Sequence, residues 1–309
     1  MNIHPIPIES KYIKKGENHI NEIITSLKRE IDKGLDIEDG DFIIVSEKFV
    51  ATGENNLIDE SNVKVGFLAY FCYYWSKYIW GYILGPLLKT RPDRIKNIRK
   101  MPKKETLKHK QTVINYVGLR YALKPASEGG VDLTNVPGTY AALLPKDPQK
   151  SAEKIYNTIK KELNLDVVVM IIDTDATYKF FKWYITALPC GIEGIISKIG
   201  VLGYILGKLA GLLKVGGLCG ATPLAIAGNS IYKKYSMEEI LYIANMADRS
   251  QGEPTKSIHN IMREYNTFEI TEEILEKLSH RPIVFIKNIK DNGENEHKGY
   301  DNKDNNKEL

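Results

Sequence analysis

Residues 167–181 read VVVMIIDTDATYKFF, six apolar residues running straight into Asp173, Thr174 and Asp175. The apolar run is rich in β-branched residues and does not alternate with polar ones, which suits a central strand covered on both faces. Asp173 is then expected at the carboxyl end of that strand, the edge of an α/β sheet where ligands bind. A carboxylate there can hold a hard cation through oxygen. The same two aspartates would equally suit a strand end that opens into a turn, and the stretch alone leaves both readings open.

Other metal chemistries are poorly supported by the composition. Cys72, Cys190 and Cys219 form no C-x-x-C pair, and the six histidines lack the spacing of a metal motif. Any metal should therefore be oxygen-liganded, and the cysteine usage fits a reducing compartment. The opening MNIHPIPIESKYIKKG lacks the basic head, apolar middle and cleavage site of a secretory signal, so a cytoplasmic location is expected.

The chain has 309 residues, 43% of them hydrophobic and 27% charged, enough to bury a large core. Residues 19–32 place Ile20, Ile23, Ile24 and Leu27 on one helical face, and Phe42 to Val45 read as a strand. A second amphipathic helix is expected over 152–165, with DPQKS before it as a start signal, and it leads into the apolar run. SMEEILYIANMA opens a further helix and RPIVFIKNI a last strand. The expected class is α/β or α+β, a mixed sheet with flanking helices over residues 1–290. Residues 291–309 have almost no apolar content and are expected to be a disordered tail.

With these elements in place, EGGVDLTNVPGTYAALLPKDPQKSAEKIYNTIKKEL followed by VVVMIIDTDAT resembles the core of the coenzyme F-420-0:γ-glutamyl ligase family. That family carries a G-[IV]-D-x-[ST]-N segment, then D-P-x-x-S-A-E, a helix, and a strand ending in Asp-Thr. IPIESKYIKKGENHINEII and IEDGDFIIVSEK are similar to its amino-terminal strands. The resemblance covers roughly residues 3–56 and 112–176, and more weakly 220–256. It implies a ligase that uses GTP and Mg²⁺ or Mn²⁺ to join L-glutamate to the carboxylate of an anionic, cofactor-like small molecule through an acyl phosphate, and it implies a homodimer. Catalysis of that kind relies on charge stabilisation of phosphoryl oxygens more than on a protein nucleophile. By the same resemblance Asp132, Asp173 and Thr174 would belong to the metal site, with Gln251 or Glu253 as a further ligand. Glu47, Lys48 and Asn135 would touch the nucleotide.

Several positions depart from the family pattern. Where the family has a phosphate-contacting lysine, the stretch ATGEN puts Thr52; Lys48 is placed to compensate. DATYKFF follows the Asp-Thr pair where the family has N-G-R-x-x-R, which removes an arginine that would contact an anion. A divergent member, with a different acceptor or nucleotide, is therefore expected. The alternative is a repurposed nucleotide- or anion-binding protein on the same scaffold.

The largest departure is an insertion over residues 66–110. Its first part, GFLAYFCYYWSKYIWGYILGPLL (66–88), carries a single charge, yet its Tyr and Trp residues are spread along it instead of gathering at its ends as in a membrane span. IISKIGVLGYILGKLAGLL (195–213) repeats the pentapeptide GYILG and spaces Gly203, Gly207 and Gly211 four apart, a smooth face for close packing. Two core helices that touch each other would explain both stretches. Residues 89–110 hold ten Lys or Arg against Asp93 and Glu105, in a chain whose net charge is only +4. This local concentration suits an anionic ligand or a peripheral membrane contact, or else a solvated basic face. Nucleic acid is not expected, since no binding module surrounds the run.

Overall fold

The computed structural model describes residues 3–134, 136–252 and 270–290. From the amino terminus come β1 (Ile6–Ser10), α1 (His19–Asp32), β2 (Phe42–Ser46), α2 (Glu47–Gly53) and β3 (Leu57–Asp59). A helical segment follows: α3 (Phe67–Tyr74), a π-helical stretch (Trp75–Leu84), then α4 (Gly85–Leu87), α5 (Pro92–Lys100), α6 (Lys103–Tyr116) and α7 (Leu119–Ala122). The chain returns to the sheet through β4 (Tyr140–Ala142), α8 (Pro148–Leu163), β5 (Val168–Phe180), β6 (Trp183–Thr186) and β7 (Ile195–Ile196). It closes with α9 (Val201–Leu213), β8 (Gly216–Gly228), α10 (Met237–Gly252), α11 (Glu272–Glu276) and β9 (His280–Ile286).

The expected mixed sheet is present. Seven strands run in the order β1-β9-β2-β5-β6-β7, with β8 also paired to β5. β2 and β5 are parallel, with Phe42 opposite Val168 and Ser46 opposite Ile172. Alternate residues of these central strands face two separate cores. Ile43, Val45, Val169 and Ile171 pack beneath α1 and α8, against Ile23, Leu27, Ile155 and Ile159. Phe42, Ile44, Val168, Met170 and Ile172 pack on the opposite side against Ile240, Ile243, Ala244 and Ala247 of α10. Burial on both faces is why the run has no polar alternation. At about 1.5–3 kcal/mol per fully buried large aliphatic side chain, these two layers hold the sheet together.

Local signals set the helices. Asn18 caps α1, its side chain accepting from the Asn21 amide at 3.1 Å. Asp147 does the same for α8 with the Lys150 amide at 3.2 Å, and Pro148 supplies the first helical position.

One expectation needs correction. β5 does not end at Asp173 but continues to Phe180. Its parallel partner β2 stops opposite Ile172, and β6 takes over that side of β5 only from Thr177, while β8 stays paired along the other. The register against β8 shifts between Asp173 and Ala176. Asp173 therefore lies at the point where the parallel pairing stops, inside a longer strand, with a bulge directly after it.

The two GYILG stretches do meet, with Trp80 and Tyr204 rings 5.3 Å apart in a cluster with Leu88, Tyr178, Ile185 and Val201. The glycine face of α9 packs on the sheet, however. A Cβ at Gly203 would lie 2.3 Å from the Thr186 carbonyl oxygen and one at Gly207 2.2 Å from the Tyr178 ring, while one at Gly211 would meet nothing within 4 Å. Among the described residues no helix is long and apolar enough to cross a membrane.

Candidate functional site

At the carboxyl end of β2 the chain turns directly from strand into helix. This puts Glu47 and Lys48 in the first turn of α2, at the edge where β2 and β5 part. A second segment reaches the same edge through a turn at Gly129 and Gly130, both with positive φ. A Cβ at Gly130 would lie 2.6 Å from the Leu144 side chain, so only glycine fits there without displacing the core. Asp132 follows, fixed by a two-way backbone pairing with Ala142 (3.0 and 2.8 Å).

These pieces converge. Lys48 Nζ lies 2.6 Å from Asp132 Oδ2 and donates to Thr134 Oγ1 at 2.6 Å, while the Thr134 amide and hydroxyl donate to Asp132 at 2.8 and 2.9 Å. Deeper in the sheet, Asp173 Oδ1 accepts from the Asp175 amide at 2.6 Å, and Asp175 pairs with Lys124 Nζ at 2.6 Å. A cleft of about 310 Å³ opens over this edge, lined by Glu47, Lys48, Thr52, Asp132, Thr134 and Thr174, and on its far side by Asp248 and Gln251. Lys11 and Arg281 also face it.

The electrostatics are uneven. Burial pushes the Glu47 carboxyl up to about 7, with Lys48 opposing and Asp132 adding to the rise. Burial also drives Asp173 well above the usual carboxylate range, and the negative charges of Glu47 and Asp175 drive it further. Asp175 is raised by burial against the pull of Lys124. Asp132 alone is lowered, because the Lys48 ammonium outweighs its burial. Lys48 is raised in turn, its carboxylate neighbours overcoming burial. Packed carboxylates with too few cations are a site where added positive charge is stabilising.

The fit of a divalent cation follows from these donors. They are oxygen ligands of the hard type that Mg²⁺ and Mn²⁺ take, and two of them are raised by burial first, Glu47 further by the charge of Asp132 and Asp173 further by those of Glu47 and Asp175. In the arrangement described, Asp132 is engaged by Lys48, and no three His, Cys, Asp or Glu side chains among the described residues lie close enough to hold a metal together. The chemistry of the set fits a cation, with Asp132, Asp173 and Thr174 as the residues that would hold it.

Most of the expected residues meet here. Glu47, Lys48, Asp132, Thr174 and Gln251 line one cleft, and Asp173 is buried outside its lining, near enough for the charge of Glu47 to act on it. Gln251 reaches the cleft from the end of α10, its amide donating to the Pro282 carbonyl at 2.8 Å. Asn135 and Glu253 lie outside the described residues. Thr52 is buried in the cleft wall at the position of the replaced lysine.

Five residues were missed: Lys11, Lys124, Thr134, Asp248 and Arg281. Thr134 had a signal, since a threonine two residues after an aspartate makes an Asx-type turn. Lys11 and Arg281 lie at opposite ends of the chain and meet only because β1 pairs with β9.

Comparison with known proteins places the sequence beside a ligase family. The F420-0:Gamma-glutamyl ligase family profile matches residues 7–226. An uncharacterized protein of Methanocaldococcus jannaschii is 61% identical, covering 91% of this chain and 95% of that protein. Proteins described as coenzyme F420:L-glutamate ligase from Methanopyrus kandleri and Methanothermobacter thermautotrophicus are 22% and 25% identical. Each aligns over 63% of this chain, and over 67% and 70% of its own length.

Proposed function

We propose that this chain, which belongs to the F420-0:gamma-glutamyl ligase family, is a GTP- and divalent-cation-dependent ligase that joins an amino acid, glutamate in the first instance, to the carboxylate of an anionic small molecule. The observation that carries the reading is the cleft where Glu47, Lys48, Asp132 and Thr174 meet over the buried Asp173. The γ-phosphoryl group would pass from nucleotide to acceptor carboxylate, releasing GDP. The amine of the amino acid would then form the new C–N bond as phosphate leaves.

Each protein group has a part in this scheme. Lys48 and Thr134 are donors beside Asp132, placed to orient phosphoryl oxygens. Lys11 and Arg281, paired with Glu17 and Glu9 at the rim of the same cleft, are the donors nearest to replacing the family lysine lost at Thr52 and the arginine lost after Thr174. A divalent cation at Asp132, Asp173 and Thr174 would neutralise developing phosphoryl charge.

The Lys48–Asp132 ion pair at 2.6 Å favours a second reading, in which the cleft keeps an anion without turning it over. A coupled assay decides between them: GTP, Mg²⁺ or Mn²⁺, glutamate and a deazaflavin-type carboxylate, scored for GDP release and for an acceptor heavier by one glutamyl group. Product that disappears in Asp132→Asn supports the ligase. Nucleotide binding with no product under any acceptor or amino acid supports the second reading.

A further inference from the structure

The segment from α3 to α5 presents an outer face that the ligase site does not use. Along α3 and the π-helical stretch, Ala69, Cys72, Tyr73, Ser76, Trp80 and Gly81 turn inward and are buried. On the opposite side Phe67 is 82% exposed, and Tyr74, Tyr78 and Tyr82, spaced four apart, are exposed with it. Their rings form a ladder, Tyr74 on Tyr78 at 5.9 Å and 17°, and Tyr78 on Tyr82 at 6.2 Å and 20°. Tyr70, Phe71, Ile83 and Leu87 are exposed along the same run. An exposed apolar run of this extent marks an interaction surface.

Positive charge borders this ladder along its length. Lys103 Nζ lies 5.7 Å from the ring centres of both Tyr70 and Tyr74, and the Arg99 guanidinium sits 4.3 Å over Tyr82. At that end Tyr82, Pro92, Ile95, Lys96, Arg99 and Lys100 line an open depression of about 540 Å³. Arg99 is anchored by the Gly81 carbonyl at 2.7 Å, while Lys96 and Lys100 pair with no carboxylate among the described residues. Of the two acidic residues in the basic run, Asp93 is engaged by Arg91 at 2.7 Å. The face is thus aromatic and apolar along its centre and cationic at its border.

We propose that this face docks the protein peripherally on an anionic lipid bilayer. Tyrosine is the side chain suited to the headgroup boundary, with an apolar ring and a polar tip. Phe67, Ile83 and Leu87 have no polar handle and would enter the acyl edge, while Lys96, Arg99, Lys100 and Lys103 meet lipid phosphates. A second copy of the chain is a poorer occupant, because a two-fold contact would set this cationic border against itself. Single-stranded nucleic acid could stack on the tyrosines but gives no partner to the aliphatic side chains. With no helix among the described residues able to cross a membrane, the mode is adsorption in the interface plane.

The test is flotation of the full chain with vesicles of phosphatidylcholine alone and of phosphatidylcholine mixed with phosphatidylglycerol, at low and high salt. Binding to the anionic vesicles at least tenfold tighter than to the neutral ones, and weakened by salt, is expected. Tyr74→Ser/Tyr78→Ser and Lys96→Glu/Lys100→Glu should each lower that binding at least tenfold, with unchanged thermal unfolding as the check on folding. Equal binding to both vesicles, no binding to either, or binding that survives both variants overturns the proposal. So does a dimer in sedimentation velocity that the tyrosine variant dissociates, or an oligonucleotide that binds this face more tightly than the anionic vesicles do.

Discussion

Around α6, Glu60, His109, Glu128 and Lys110 form a closed set of partners, whereas at the sheet edge Glu47, Asp132, Asp173 and Asp175 outnumber Lys48 and Lys124. In the first set Lys110, with no exposed surface, donates to the Ala122 and Lys124 carbonyls at 2.7 Å and lies 2.6 Å from Glu128. His109 spans Glu60 and Glu128 at 3.0 and 3.3 Å. Burial would lower the imidazole, yet its hydrogen bonds to the two glutamates raise it to about 10. Burial would likewise raise Glu128, but Lys110 and His109 hold it well below the usual range. At the sheet edge the same residue types respond in the opposite sense, Glu47 and Asp173 being raised. Balanced buried charges behave as a structural knot, and unbalanced ones as a site waiting for a ligand.

The comparison breaks first, and by the largest amount, through single substitutions. Glu128→Ala leaves Lys110 buried without a carboxylate and His109 with Glu60 alone, and should destabilise by about 3–5 kcal/mol. Asp173→Asn removes a buried carboxylate that repels Glu47 and Asp175, so stability should stay within about 1 kcal/mol or rise. Urea unfolding of both variants checks this; equal losses would erase the distinction between knot and site.

A pH series sharpens it next. His109 has a raised pKa in the folded chain, so its contribution is fully present below about 6.5, the unfolded value, and is lost as pH climbs toward about 10. Glu128 has a lowered one, so its contribution is present above about 4.3 and lost as pH falls below that. The thermal midpoint of the native chain should therefore fall toward both ends of the pH range, and a His109→Gln variant should show a flatter alkaline limb. Parallel alkaline limbs would show that His109 contributes nothing to the pH dependence.

How much was legible follows the same division. The strand through Met170, the helix carrying Ile23 and Leu27, and the capped start of α8 could be read because each has a local cause. That Asp132 and Lys48 come to one edge of the sheet could be read because a resemblance tied their two distant segments together. Lys124 and Arg281 could not, because their roles depend on which strands and loops the topology brings together. The π-helical stretch was also hidden, since a four-residue tyrosine spacing looks the same in an ordinary helix.

A smaller effect is expected at Thr52. Because Lys11, Lys48 and Arg281 already face the cleft, Thr52→Lys should tighten triphosphate binding only about twofold to fivefold in fluorescence titration, with the sign set by the added charge. Weaker binding would mean that the cleft wall at Thr52 does not face phosphate.

A divalent cation held with nucleotide at the sheet-edge carboxylates is the proposal on which the ligase reading depends. Calorimetric titration of Mn²⁺ into the native chain, Asp132→Asn and Asp173→Asn, each with GTP present, tests it most directly. The account predicts saturable binding in the native chain and at least a tenfold loss in each variant, with folding intact by circular dichroism. Unchanged Mn²⁺ affinity in both variants would contradict it.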